Sequence, residues 1–283
     1  MGSPMAANLV KAGYNVQGFD LAAASRDTAS GNGVAVRKTV ADALTGASAV
    51  VTMLPAGKHV ISVWTEITGL VEAGTLLIDC STIDVESARR AHALAAKAGS
   101  ISLDAPVSGG TGGAAAGTLT FMAGGAKEAF DRGEAILQKM GKRIVHCGDG
   151  GSGQAAKICN NMILGITMAG VGEAFVLAEK LGLSHQALFD VASTSSGQCW
   201  SLTTYCPVPG PVPTSPANND YKPGFAAALM LKDLRLAQEA ALAAGATTPL
   251  GAQAAQLYGL FDKLGHGDDD FSAIIKFFRE AQG

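Results

Sequence analysis

The sequence predicts an α/β protein: a mostly parallel sheet covered on both faces by helices, followed by an all-helical domain. Three observations carry that expectation. Through the first half, short and nearly continuous apolar runs such as Ala49-Val-Val-Thr-Met-Leu54 and Thr75-Leu-Leu-Ile-Asp-Cys80 alternate with helical patterns, the signature of strands buried on both faces. After Gly153 the apolar residues follow a helical period and no strand pattern recurs. Between the two regimes lies Gly148-Asp-Gly-Gly-Ser-Gly153, four glycines in six residues, a loop whose backbone can approach another group closely. The domains are therefore expected at 1–150 and 151–283.

In chain order, residues 1–12 read as a helix opening, with Ser3 as cap, Pro4 in the first turn and Gly13 past the end. A strand at 15–20 closes on Asp20. A helix followed by a strand ending in an acid is the second half of a dinucleotide-binding βαβ unit. Its first half, a strand and the opening glycines of G-x-G-x-x-G, does not precede Gly2. Further strands are expected at 33–36, 49–54, 75–80, 101–107, 118–123 and 144–147, with helices at 39–44, 58–65, 84–99 and 127–140. Open parallel sheets bind ligands at the carboxyl ends of their strands. That places Leu54-Pro55, Ser81-Thr82 and Ser108-Gly109-Gly110 on one rim.

In the second domain helices are expected at 153–181, 184–195, 225–244, 249–263 and 270–281. Residues 197–224 carry prolines at 207, 209, 211, 213, 216 and 223 and no periodicity. A stretch this long is either a cover over a cleft or a surface loop, and Trp200, Tyr205 and Tyr221 favour packing.

Composition narrows the function. Hydrophobic residues make up 48%, charged residues 16%, and 36 of the 283 residues are glycine, which describes a turn-rich globular chain and not a disordered one. A net charge of −3 without a Lys/Arg cluster argues against nucleic acid and membrane surfaces as partners. The five cysteines form no CxxC pair and read mostly as small core residues. Histidines at 59, 92, 146, 185 and 266 show no paired helical spacing, so no catalytic metal is expected. No apolar run reaches the ~20 residues needed to cross a bilayer.

Three constellations could carry chemistry. Lys157 and Asn161 stand four apart among Ile158, Met162, Ile163, Ile166 and Met168, on one helix face. A lysine on a buried face has its pKa lowered from about 10.4 towards neutrality, which suits proton transfer; the other reading is a lysine that snorkels to water. Asp104-Ala-Pro-Val-Ser-Gly-Gly110 could offer backbone N–H groups to an anion, or be a plain turn. Lys232-Asp233, in a helix reading Phe225-Ala-Ala-Ala-Leu-Met-Leu-Lys-Asp-Leu-Arg-Leu-Ala237, is either part of a site or a solvated pair. Ser195 and Ser196 sit in no G-x-S-x-G elbow, so serine hydrolysis has no support. A nucleotide-binding sheet, a proton-carrying lysine and an anion cradle together fit hydride transfer with a nicotinamide cofactor.

The motifs Met1-Gly-x-Pro-Met-Ala-x-Asn-Leu9, Met53-Leu-Pro-Ala-Gly57, Asp79-Cys-Ser-Thr-Ile83 and Asp104-Ala-Pro-Val-Ser-Gly-Gly110 occur in order, followed by Gly151-x-Gly-Gln-Ala-Ala-Lys-Ile-Cys-Asn-Asn161 and Lys232-Asp-Leu-x-Leu-Ala237. On these, nearly the whole chain resembles the β-hydroxyacid dehydrogenase family, most closely its bacterial 3-hydroxyisobutyrate branch. The resemblance implies a Rossmann-type fold and NAD-dependent oxidation of 3-hydroxyisobutyrate to methylmalonate semialdehyde, a step of valine breakdown. It further implies a cytoplasmic enzyme, a homo-oligomer (dimer or tetramer) built through the helical domain.

By the same resemblance Lys157 is the general acid/base, and Ser108, Gly109, Gly110 and Asn161 contact the substrate. Met1, Gly2, Asp20, Leu54, Pro55, Thr82 and Lys232 match cofactor contacts, Asp20 favouring NAD over NADP with Arg26 close by. The rival readings are a tartronate semialdehyde reductase and a non-catalytic NAD-binding relative, which would lack Lys157. Two departures stand out. His59 replaces the asparagine of animal-type relatives. The family fingerprint is Gly-Leu-Gly-x-Met-Gly preceded by a strand, and this chain starts at its Met-Gly. The expectation is that the natural protein starts upstream and that the sheet carries a gap where its central first strand would lie.

Overall fold

A computed structural model describes residues 1–280; residues 281–283, at the end of the last expected helix, lie outside the described residues. The chain forms two compact units, Met1–Lys157 and the residues from Ile158 onward.

The first unit runs α1 (Gly2–Lys11), β1 (Gln17–Gly18), α2 (Ala23–Gly31), β2 (Ala35–Val36), α3 (Val40–Leu44), β3 (Ala49–Thr52), α4 (Gly57–Ile67), β4 (Leu76–Asp79) and α5 (Val85–Lys97). It continues with β5 (Ile101–Asp104), β6 (Val107–Ser108), α6 (Gly110–Ala116), β7 (Leu119–Gly124), α7 (Lys127–Leu137) and β8 (Gly141–Gly148). Caps form where short polar side chains precede a helix: Thr39 accepts from the Asp42 N–H at 3.1 Å and Asp84 from that of Ser87 at 2.7 Å. The expected Ser3 cap is corrected: α1 begins two residues earlier than that cap implies, its N-cap is Met1, and no side chain caps it.

β3, β4 and β5 are parallel, with Thr52, Asp79 and Asp104 level at their carboxyl ends. The single strand expected at 101–107 is instead two, interrupted at Ala105-Pro106, where proline has no N–H to give a ladder. Both halves pair antiparallel with β7, Asp104 opposite Gly124 and Val107 opposite Phe121, while β8 lies parallel on the other side of β7. β1 and β2 form a separate parallel pair, and among the described residues no strand links β1 to β3. The sheet is thus in two pieces.

Continuous apolar strands follow from the two-sided core. Neighbours in a strand point to opposite faces, so Ile78 joins Met5, Leu9, Leu103, Phe121 and Leu137 while Leu77 joins Val60, Trp64, Ile83 and Ala95. Trp64 is 1% exposed, and its Nε1 donates to Thr52 Oγ1 at 3.1 Å.

The second unit is helical: most of α8 (Ser152–Lys180), then α9 (His185–Ala192), α10 (Trp200–Thr203), α11 (Ala227–Ala244), α12 (Pro249–Phe261) with a π turn at Asp262–His266, and α13 (Ile274–Glu280). α8 is long and apolar enough to cross a membrane by length and composition. No unbroken apolar run of that length exists in the sequence, because Asn160, Asn161 and Glu173 interrupt it. Its Met168, Phe175 and Val176 are fully buried in the core of this unit. Ile163, by contrast, is exposed and not part of the buried face the spacing suggested.

Residues 197–224 are packed, not a surface loop. Leu202, Cys206, Val208 and Tyr221 are buried in the helical core, and Tyr221 Oη donates to the Pro207 carbonyl at 2.8 Å. Trp200, half exposed at 49%, stacks on Tyr205, which stacks on Phe271. Tyr205 Oη donates to Asp270 Oδ2 at 2.9 Å, an oxygen that also accepts the N–H groups of Gly224 and Phe225. Burial and that carboxylate hold the Tyr205 phenol well above its ordinary range. The cysteines are all unpaired, but only Cys80 and Cys206 are buried and Cys159 is exposed, fewer core cysteines than expected.

Candidate active site

The rim of the sheet is built from side chains that leave the strand ends. Asp79, last in β4 and 2% exposed, accepts from Thr52 Oγ1 at 2.7 Å and from Ser81 Oγ at 2.6 Å, both on Oδ1. Ser81 Oγ in turn accepts the Leu54 N–H at 2.8 Å. The loop carrying Leu54 and Pro55 is therefore set by a carboxylate beneath it. Burial pushes the Asp79 carboxyl up to about 6 against the opposing pull of the Ser81 and Thr52 hydroxyls, and its Oδ2 makes no hydrogen bond.

The start of α8 is tied to the same rim. Asp104, at the end of β5, accepts the Gly151 N–H on Oδ1 at 2.7 Å and the Gln154 N–H on Oδ2 at 2.8 Å. Gln154 donates from Nε2 to the Ser81 carbonyl at 2.7 Å and accepts the Ile83 N–H at 3.1 Å, bracketing Thr82. Only glycine fits at 153: a Cβ there would lie 2.2 Å from the Met122 carbonyl oxygen and 2.5 Å from that of Asp104. Lys157 follows Gln154 on α8 and is 7% exposed.

Ser108 ends β6, and Gly109, at φ 130°, turns the chain into α6. Asn8 Nδ2 donates to the Ala114 carbonyl at 2.7 Å, tying α6 to α1. A Cβ on Gly2 would rest 3.6 Å from Met53 Cβ, which sets the start of α1 beside the end of β3. Asp20 is exposed beyond β1, with Oδ1 accepting the Ala22 N–H at 2.8 Å. Arg26 donates from Nη1 to the Asp20 and Leu21 carbonyls, both at 2.8 Å, so it is engaged by backbone.

Met1, Gly2, Asp20, Leu54, Pro55, Thr82, Ser108, Gly109, Gly110 and Lys157 thus belong to the first unit, Asn161 and Lys232 to the second. In the second unit Asn161 is 1% exposed and donates from Nδ2 to Asp233 Oδ2 at 2.5 Å, while its Oδ1 accepts from Asn160 Nδ2 at 2.9 Å. Asp233 is 4% exposed, so the solvated-pair reading does not hold for it. The sequence left Asp233 open between part of a site and a solvated pair; its burial and its bond to Asn161 arise only on folding. Among the described residues no group of three or more His, Cys, Asp and Glu could hold a metal ion.

These residues fit a dinucleotide. The first turn of α1 has N–H groups without a side-chain cap and no acid beside them, a favourable end for phosphates. Asp20 offers an acceptor-only carboxylate for ribose hydroxyls. Such a sheet with a buried lysine at its rim defines an NAD-dependent dehydrogenase acting on a CH–OH group.

Comparison with known proteins agrees. A family model described as the NAD binding domain of 6-phosphogluconate dehydrogenase matches residues 1–148, and one described as NAD-binding of NADP-dependent 3-hydroxyisobutyrate dehydrogenase matches residues 151–278. A probable 3-hydroxyisobutyrate dehydrogenase of Mycobacterium tuberculosis is 53% identical over 99% of this chain and 95% of its own. An NAD-dependent L-serine dehydrogenase of Pseudomonas aeruginosa is 46% identical over 100% of this chain and 96% of its own. The solved structure of the M. tuberculosis 3-hydroxyisobutyrate dehydrogenase with L-serine superposes with a TM-score of 0.96 at 53% identity, covering 99% of this chain and 96% of that one. The chain belongs to the β-hydroxyacid dehydrogenase family, and proteins named 3-hydroxyisobutyrate dehydrogenase are among its relatives.

Proposed function

We propose that this chain oxidises 3-hydroxyisobutyrate to methylmalonate semialdehyde in valine catabolism, with Lys157 as general acid/base. The observation that supports the reading is a buried lysine one turn into a helix whose first turn is bonded to the carboxyl-end rim of the sheet. NAD, held by Met1, Gly2, Asp20, Leu54, Pro55, Thr82 and Lys232, supplies the hydride acceptor when bound. Lys157 Nζ takes the hydroxyl proton during oxidation and returns it in reverse. Ser108 and the N–H groups of Gly109 and Gly110 hold the carboxylate. Asn161 steadies the substrate with an amide whose orientation is fixed by Asp233 on one side and Asn160 on the other.

L-Serine is the second reading, favoured by the relative named for it. The two substrates share a hydroxymethyl and a carboxylate on one carbon and differ in a methyl against an ammonium group there. Rates of NADH formation with 3-hydroxyisobutyrate, L-serine and glycerate decide. The expected kcat/KM for 3-hydroxyisobutyrate exceeds the others by about tenfold or more, the scale set by burying a methyl against stranding a charge. A preference for serine or glycerate overturns the assignment, and inactivity on all three favours a non-catalytic member.

The same reading includes a homo-oligomer built through the helical unit and a place in the bacterial cytoplasm, as the bacterial-type sequence suggests. Its support for assembly is an apolar stripe along α8 and just past its end, Ile163 at 61%, Leu177 at 59% and, beyond the helix, Leu181 at 74% exposed, with Gly170 and Ala174 open between them. Light scattering is expected to give a multiple of the 28.6 kDa chain mass; a monomer would remove it.

A further inference from the structure

We propose that Asp104 is the positioning residue for Lys157, acting with His92 and Gln154 as a clamp on the head of α8. The proposal rests on the role given to Lys157 above. A helix begins with N–H groups that have no partner within it. α8 meets that need with an acid 47 and 50 residues back in the chain. Asp104 uses both oxygens, Oδ1 for the Gly151 N–H and Oδ2 for that of Gln154, so a single carboxylate spans the first turn. A negative group there also complements the helix dipole.

The carboxylate is itself held. His92 Nε2 lies 2.8 Å from Asp104 Oδ1, and His92 Nδ1 lies 2.7 Å from Ser102 Oγ. With the Ser102 hydroxyl donating to Nδ1, the ring carries its proton on Nε2 and donates to Asp104, so every bond in the row has a donor and an acceptor. Three glycines close the space around it. A Cβ at 124 would lie 2.6 Å from Asp104 Oδ1, one at 150 would lie 2.8 Å from the His92 ring, and one at 153 would lie 2.9 Å from Asp104 Oδ2. Gln154 adds the second anchor, to the loop that carries Thr82. Lys157 comes three residues after Gln154. Its long side chain has rotational freedom of its own, so the fixed quantity must be the helix that carries it. A displacement of about 1 Å at a reacting group can cost on the order of 10² in rate.

The test uses the full chain with Asp104→Asn, which keeps the shape and removes the charge. Three readouts are taken: hydrogen exchange at amides 151–157, the rate of Lys157 labelling by an amine acylating reagent, and steady-state kinetics with 3-hydroxyisobutyrate. The expected result is exchange at 151–157 faster by about tenfold or more, the loss of a charge-assisted hydrogen bond, with other segments unmoved. Lys157 labelling changes with it, and kcat falls by about 10- to 100-fold while the KM for NAD stays within a few-fold. Asp104→Ala is expected to be worse than Asp104→Asn. Unchanged exchange overturns the clamp. Faster exchange with unchanged labelling overturns the positioning role. If wild-type protein oxidises none of the three substrates, the functional reading falls by itself, because exchange and labelling still read the clamp. Should Asp104→Asn not fold, Gln154→Met, which cuts only the second anchor, is read the same way.

Discussion

Lys157→Ala is expected to lower turnover by about 10²–10⁴, the usual worth of a positioned proton acceptor, with NAD affinity largely kept. Lys157 lies on α8, whereas the groups matched to the cofactor in the first unit sit at the start of α1, beyond β1 and in the loops after β3 and β4. Alanine removes the only atom assigned to the proton and leaves the Asp104 and Gln154 bonds to backbone and neighbouring loop in place. Lys157→Arg should be nearly as poor, because a guanidinium does not give up its proton in the working pH range. Turnover from NADH absorbance and NAD affinity from titration separate the two effects. A variant that keeps more than a tenth of the wild-type rate takes the lysine out of the mechanism.

The second large effect is on stability. Asp79 titrates near 6 in the folded chain against an ordinary 3.8, because burial disfavours its charged form. Between those values the folded state holds a proton that the unfolded state has released, so stability falls as pH rises from about 4 to about 6. Above that range the full cost of the buried charge is present, about 3 kcal/mol; below it the cost vanishes. Asp79→Asn cannot ionise and still accepts from the Thr52 and Ser81 hydroxyls. Urea unfolding from pH 4 to 7 is expected to show this slope in the wild type and to show it missing in the variant. Parallel pH profiles would contradict the assignment.

Much of the fold is legible in the chain because strands buried on both faces leave unbroken apolar runs and because α8 is long. α2 is not, since Ala23–Gly31 buries no residue and so imposes no periodic pattern. α6 hides in a run of glycine and alanine that looks like a turn. The clamp on α8 is invisible for another reason. Asp104 sits in a motif that reads locally as an anion-binding turn, and nothing near it in sequence announces a helix it meets only after folding. Asn161 likewise stands out by spacing, yet its partner Asp233 lies 72 residues away. Residue identity suggested what could react; tertiary hydrogen bonds decide what is held still.

The chain has two tryptophans, and the fold has put one in each unit. Trp64 is sealed in the first, its indole donating to a hydroxyl, while Trp200 stands half exposed in the second against the Tyr205 ring. Their emission should therefore differ in colour, blue for the sealed ring and red for the exposed one. Each unit carries its own lamp, and replacing either indole leaves an optical record of the other unit alone as it melts, binds or exchanges partners.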